Sequence, residues 1–386
     1  MSGQYSHLQF FRRMPTDFLS RYFAENDIDL GIDFKKLKTK KEQAILEAFL
    51  KLPEEQQAKI EAEFKDINAM ACEGGAIALI DEAAFHGDES FAESIAAIDG
   101  FHGKAMWARL EKPEYWNGAS MFLHADNVSV LSWKKRNDLP HAIADTSTSA
   151  INSLANAISA FFRSKEGRGR NCKVELYRRN NKHYFFAYPE DFGQSVVEWI
   201  KSSLVPQARH PAFEIIFVHC KDEGSLDIYA PKNTKAIPAL QKIFAETILK
   251  IDTLQDAPID QRVYDLSLLS DPTFEFKIAR NSSIDDAVIT QLRLTLKHNA
   301  KQRIVLEADT KKNPKAIYDL LKALNLPPYR ITQVKIKVTF DAPAGKRAKT
   351  RTFSITHPNS CGLNHDGVDE SIREMLIKSG LEPKAP

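Results

Sequence analysis

The sequence predicts an α+β protein: an all-helical N-terminal domain, then repeated ββα units that form antiparallel sheets with helices on one face. Three observations lead there. Apolar residues recur three or four apart through the first 145 residues. From Lys173 onward the pattern changes to alternation, the period of a half-buried strand. A grammar of two strands then a helix returns at one spacing, with Pro189 and Pro231 separated by 42 residues, as are Ile289-Thr290-Gln291 and Ile331-Thr332-Gln333.

In the helical part, FFRRMPTDFLSRYF, KKEQAILEAFLKL, PEEQQAKIEAEFKDINAMA and GAIALIDEAAFHG each carry one apolar stripe, with Pro or Gly at the breaks. Phe85-His86-Gly87 recurs as Phe101-His102-Gly103, and both copies read as helix C-termini capped by glycine. A helix over 149–163 follows the polar DTSTS break. Strands at 173–179 and 182–188 flank Asn180-Asn181, a pair suited to a tight turn. Pro189-Glu190-Asp191 is read as the start of a helix, GQSVVEWIKSSL. The second unit is FEIIFVHC, SLDIYA and KAIPALQKIFAETILK; the third is ITQLRLTLKH, QRIVLEA and NPKAIYDLLKAL; the fourth is ITQVKIKVTF, TRTFSIT and VDESIREMLIKSG. The domains expected are 1–145 (helical), 146–254 (α+β, two ββα units) and 255–386 (α+β, two ββα units, basic).

Length and composition agree with a multidomain globular chain: 386 residues, 43% hydrophobic and 27% charged. No run of about 18 apolar residues occurs and the opening lacks a signal-peptide core. Cys72, Cys172, Cys220 and Cys361 form no CxxC pair. A cytoplasmic protein with no membrane contact is therefore expected. The net charge of +2 conceals segregation. Residues 51–100 hold three Lys/Arg and twelve Asp/Glu, a net of −9, whereas residues 301–350 hold twelve and four, a net of +8. Such separation points to a polyanion for the basic part and to a protein partner or regulatory contact for the acidic part.

Two basic surfaces follow. The stretch 163–191 concentrates Arg163, Lys165, Arg168, Arg170, Lys173, Arg178, Arg179 and Lys182, with Tyr177 and Tyr184 as platforms on which unpaired bases could stack. In the C-terminal units, alternation sends Leu292, Leu294, Leu296, Val334, Ile336 and Val338 inward. Arg293, Thr295, Lys297, Lys335, Lys337 and Thr339 go outward, and the nearby turn adds Lys346, Arg347, Lys349 and Arg351. The competing explanation is structural, since an open antiparallel face must be polar and edge lysines block aggregation.

Other chemistry is thinner. Glu82 and His86 lie four apart on a helix, and His357, Cys361 and His365 share that spacing in HPNSCGLNH; both sets are metal-ligand types, but neither has a recognised zinc spacing. Asp271, Glu275 and Lys277 in DPTFEFK supply the carboxylates and lysine of a metal-dependent nuclease. No P-loop, dinucleotide, nucleophile-elbow or zincin motif occurs, so no cofactor is expected. The function expected is a non-catalytic DNA- or RNA-binding protein that contacts the phosphate backbone through the basic sheet face and the hairpin. The alternatives are a scaffold or complex subunit and a metal-dependent nuclease or other hydrolase.

Overall fold

The computed structural model describes residues 5–37, 40–128, 132–200, 202–256, 264–280, 282–342, 347–364 and 367–382. The chain forms two compact units, residues 1–128 and 129–386.

The first unit is helical throughout its described residues: α1 His7–Arg13, α2 Thr16–Glu25, α3 Lys41–Phe49, α4 Glu54–Met70, α5 Glu73–Phe85, α6 Phe91–Ala96, α7 Gly100–Glu111 and α8 Pro113–Asn127. Its prolines sit where the missing N–H does no harm: Pro15 and Pro53 precede α2 and α4, and Pro113 opens α8. The core is aromatic. Phe10 stacks on Phe64 at 4.6 Å between ring centroids, and Tyr22 lies 4.8 Å from the same ring. Between α4 and α5 the chain turns so tightly that a Cβ on Gly75 would stand 2.1 Å from the Met70 carbonyl oxygen, so only glycine fits.

The second unit contains β1 Trp133–Arg136, α9 Thr148–Glu166, β2 Cys172–Arg179, β3 Lys182–Pro189, β4 Gln194–Ile200, β5 Ser203–Arg209, β6 Ile215–Cys220, β7 Ser225–Tyr229, α10 Ile237–Thr247, β8 Ile284–Leu296, β9 Asn299–Glu307, α11 Ala316–Ala323, β10 Tyr329–Phe340, β11 Thr350–Thr356, β12 Ser360–Cys361 and α12 Gly367–Lys378. Two five-stranded antiparallel sheets have the orders β1-β7-β6-β3-β2 and β12-β11-β10-β8-β9. Their edges approach where the Lys135 N–H donates to the Asn359 carbonyl at 3.0 Å. That contact protects the short β1 edge from stray pairing.

Mixed helix and sheet, with antiparallel sheets after a helical region, is as the sequence predicts. The repeat is less regular. β2 and β3 are followed by a second hairpin, β4–β5, so in GQSVVEWIKSSL residues Gln194–Ile200 form its first strand and Ser203 and Leu204 open its second, where a helix was expected. Val196, Val197, Trp199 and Ile200, four apolar or aromatic residues within five, fit either period, and the β-branched and aromatic content decided for the strand. The sheets also differ in order. β2, β3, β6 and β7 form a meander, whereas β8 pairs with both β9 and β10, so α11 carries the chain across it.

Burial differs between the sheets too. α9 and α10 cover one face of the first through Leu154, Ile158, Phe162, Leu240 and Phe244. The opposite face, expected to be solvated, is buried as well: Tyr184, Phe186, Ile216 and Val218 show no more than 1% exposure. In the second sheet, Ile317, Ile372, Met375 and Leu376 of α11 and α12 pack on Leu292, Leu294, Val334, Ile336, Val338, Phe353 and Ile355. Its other face remains open.

Candidate nucleic-acid interface

The open face is assembled by register. One cross-strand row reads Arg330, Thr295, Arg303; the next reads Thr356, Gln333, Arg293, Val305; the next reads Ser354, Lys335, Gln291, Glu307. Lys337 follows, between Thr352 and Val288, and Thr339 stands between Thr350 and Asp286. A bulge at Thr332 keeps the β10 alternation in phase with β8, and the Thr332 hydroxyl fills it by donating to the Arg293 carbonyl at 3.2 Å. Neighbouring strands lie about 4.8 Å apart, so the side chains of one row are within reach of one phosphate-sized group. Five cations meet two acids here, and uncharged Thr, Ser and Gln hydroxyls and amides lie between them.

None of Arg293, Arg303, Arg330, Lys335 and Lys337 has an acidic partner within ion-pair distance among the described residues. Arg293 shows this most clearly. Its Nε is buried and has no acceptor among those residues. Partial burial and then the charge of Arg303 pull its pKa below the usual arginine range, though a guanidinium keeps its proton. Two arginines therefore sit side by side on an open face, with no carboxylate between them.

The 163–182 cations behave differently. Arg168 is held by Glu166 at 2.7 Å, Asp191 at 2.9 Å and the Asn233 amide oxygen at 2.5 Å, and its guanidinium lies 4.0 Å from the Phe213 ring centroid. Arg179 and Lys182 are buried at the hairpin end, with Lys182 3.5 Å from Glu370. Arg178 is exposed on β2, and Lys173 pairs with Glu175 at 2.5 Å. Arg163, Lys165 and Arg170 are exposed where α9 ends and its following turn begins. The stacking candidates also divide: Tyr184 is fully buried and unable to meet a base, and Tyr177 is half-buried against Phe186 at 5.8 Å.

Of the turn cations, Lys346 lies outside the described residues, and Arg347 and Lys349 are exposed just before β11. Arg351 faces the other way. It pairs with Val338, on the helix-covered side, and grips Asp369 of α12 with two bonds of 3.1 and 2.9 Å. It is a staple between sheet and helix. Lys297 is exposed beyond the end of β8. Arg303 and Arg330 are additions. Arg303 alternates with inward-facing Ile304 and Leu306 in QRIVLEA and was legible, whereas the bulge after Ile331 hides the parity of Arg330.

The remaining candidates do not converge. Among the described residues no three His, Cys, Asp or Glu side chains are placed to hold a metal ion. Glu82 is buried against Gly118, and His86 approaches it at 3.3 Å while stacking on Tyr115. Gly87 takes the left-handed cap after α5, as expected, with φ 81°. His102 instead lies in the first turn of α7, and Gly103 is packed against Pro15 and Ile98, so the second Phe-His-Gly is no cap. Cys361 is buried in β12, and burial pushes its thiol up to about 11; His357 stands at the preceding turn, and His365 lies outside the described residues. Asp271 accepts from the Thr273 N–H and hydroxyl at 2.8 and 2.7 Å, bonds that hold its pKa below the usual carboxylate range. Glu275 lines a separate cleft of 270 Å³ with Asp286 and Lys315, and Lys277 is exposed.

Comparison with protein-family models and with curated proteins returns no match. No helix among the described residues is long and apolar enough to cross a membrane. The functional reading rests on the open face itself.

Proposed function

We propose that the protein is a non-catalytic, cytoplasmic nucleic-acid-binding protein whose open C-terminal sheet face takes the phosphate backbone of DNA or RNA. The observation that carries this is the Arg293–Arg303 pair, two guanidiniums without a carboxylate partner, continued along β10 by Lys335 and Lys337. Guanidiniums pair with phosphate bidentately and lysines act as point charges. The Thr and Ser rows of β11 add neutral donors of the kind that fix register on a backbone. Lys297 and Arg347 are exposed cations just beyond the ends of strands of this sheet, Arg163, Lys165 and Arg170 are exposed beside β2 at the far edge of the other sheet, and Arg168, Arg179, Lys182 and Arg351 belong to the fold. The acidic helical unit is assigned to a protein partner or to regulation of access.

The test is fluorescence anisotropy with labelled single- and double-stranded DNA and RNA. Arg293→Glu, Lys335→Glu and Lys337→Glu together abolish binding while the circular dichroism spectrum is retained. Affinity unchanged by the triple reversal would remove the assigned face.

A further inference from the structure

Six exposed large apolar side chains fall within thirteen residues: Phe192, Val196, Val197, Trp199, Ile200 and Leu204. They belong to the β4–β5 hairpin, which forms a two-stranded sheet of its own. At its base the Asp191 N–H donates to the Pro211 carbonyl at 2.7 Å, and Glu190 bridges Ala212. Register divides the arm into unlike faces. One pairs Ser195 with Ala208, Val197 with Pro206 and Trp199 with Leu204, three pairs without a charge. The other carries Glu198 and Arg209, which neutralise each other at 2.7 Å.

A two-stranded hairpin alone is marginal in water, and a bare apolar face marks a surface that is covered in use. We propose that a second copy of this chain covers it, the two arms packing apolar face to apolar face about a two-fold axis. These three pairs hold no charged group among the described residues, so they make no demand that a copy of themselves fails to meet, which is the condition for an isologous contact. It also offers nothing to phosphate, so this contact is separate from the basic face. With Trp199 72% exposed, Val197 58% and Leu204 56%, two such faces bury about 1,000 Å² in all, the lower bound for a specific interface. The dimer is therefore weak and concentration-dependent, with Trp199 as its anchor.

Sedimentation velocity of the full-length protein from about 1 to about 100 μM tests this across the range where such a dimer dissociates. The expected result is a monomer–dimer transition that Trp199→Asp and Leu204→Asp each weaken by about 30-fold or more, with unchanged secondary structure. A monomer throughout the range would overturn it. So would a dimer indifferent to both substitutions, or a monomer whose wild-type arm, but not the Trp199→Asp arm, binds phosphatidylcholine vesicles.

Discussion

Neutralising Lys335 and Lys337 alters a quantity that the structure fixes in advance. If each of the five open-face cations contacts one phosphate, log K falls against log salt with a slope of about −4.5 on duplex DNA. Raising salt fourfold then lowers affinity by about 500-fold. Lys335→Ala with Lys337→Ala leaves Arg293, Arg303 and Arg330, so the slope becomes about −2.7 and the same salt step costs about 40-fold. Anisotropy titrations at four or more salt concentrations give both slopes. The comparison protein is Arg351→Ala, which removes one positive charge from the helix-covered side, where it holds Asp369. Its slope should equal that of the wild type. A double variant with the wild-type slope, or an Arg351→Ala protein with a reduced one, would refute the assignment of cations to faces.

Two further predictions concern the buried charges at the sheet junction. Lys135, 6% exposed, pairs with Glu382 and with Glu223, so Lys135→Ala should destabilise the second unit by about 3–5 kcal/mol in urea unfolding. Replacing Lys135 and Glu382 together by Met and Leu should recover most of that loss. Burial pushes Asp227 up to about 6, against the pull of Lys135 and Arg373. An unfolded aspartate titrates near about 3.9, so between these values the folded state binds more protons and stability falls as pH rises, by on the order of 3 kcal/mol. Asp227→Asn removes that decline, and unfolding curves of the two proteins that stay parallel from pH 4 to pH 7 would exclude it. Glu223 has the opposite sign: held at about 2 chiefly by Lys135 against its own desolvation, it adds stability above the usual glutamate range and loses it only in acid.

How much was legible depends on which interaction decided each element. Leu292, Leu294, Val334, Ile336 and Val338 face the core because one side of their sheet meets helices and the other meets water, so alternation carries the information. Ile215, Ile216, Phe217 and Val218 are all buried, and so long an apolar run is itself the sign of a strand covered on both faces. Tyr184 pairs with Val218 of that run and is buried with it, whereas its basic neighbours led to the expectation of a stacking platform on the surface. Arg351 was legible by parity with Phe353 and Ile355, and grouping it with the turn by charge obscured this. The β4–β5 arm was not legible, because a short amphipathic run satisfies both periods and no core contact arbitrates.

Charge summed over a window misjudges a surface because ion pairs join residues remote in sequence. The hairpin looks basic over 163–191, yet the carboxylate beside Lys182 is Glu370, and the one that takes Lys135 is Glu382. Arg351 is matched by Asp369. All three acids lie on α12 or just after it, and α12 packs on the helix-covered side of its sheet. Topology thus directs the acids of the C-terminal region toward the interior and the junction. Among the described residues, the open face of that sheet keeps its arginines and lysines with only Asp286 and Glu307 in its rows. Fields of unpaired charge on a low-dielectric wall add rather than cancel, so on the proposed reading the five cations there form the stronger site for a polyanion, whereas of the eight on the hairpin Arg168, Lys173 and Lys182 are matched by carboxylates and Arg179 is buried.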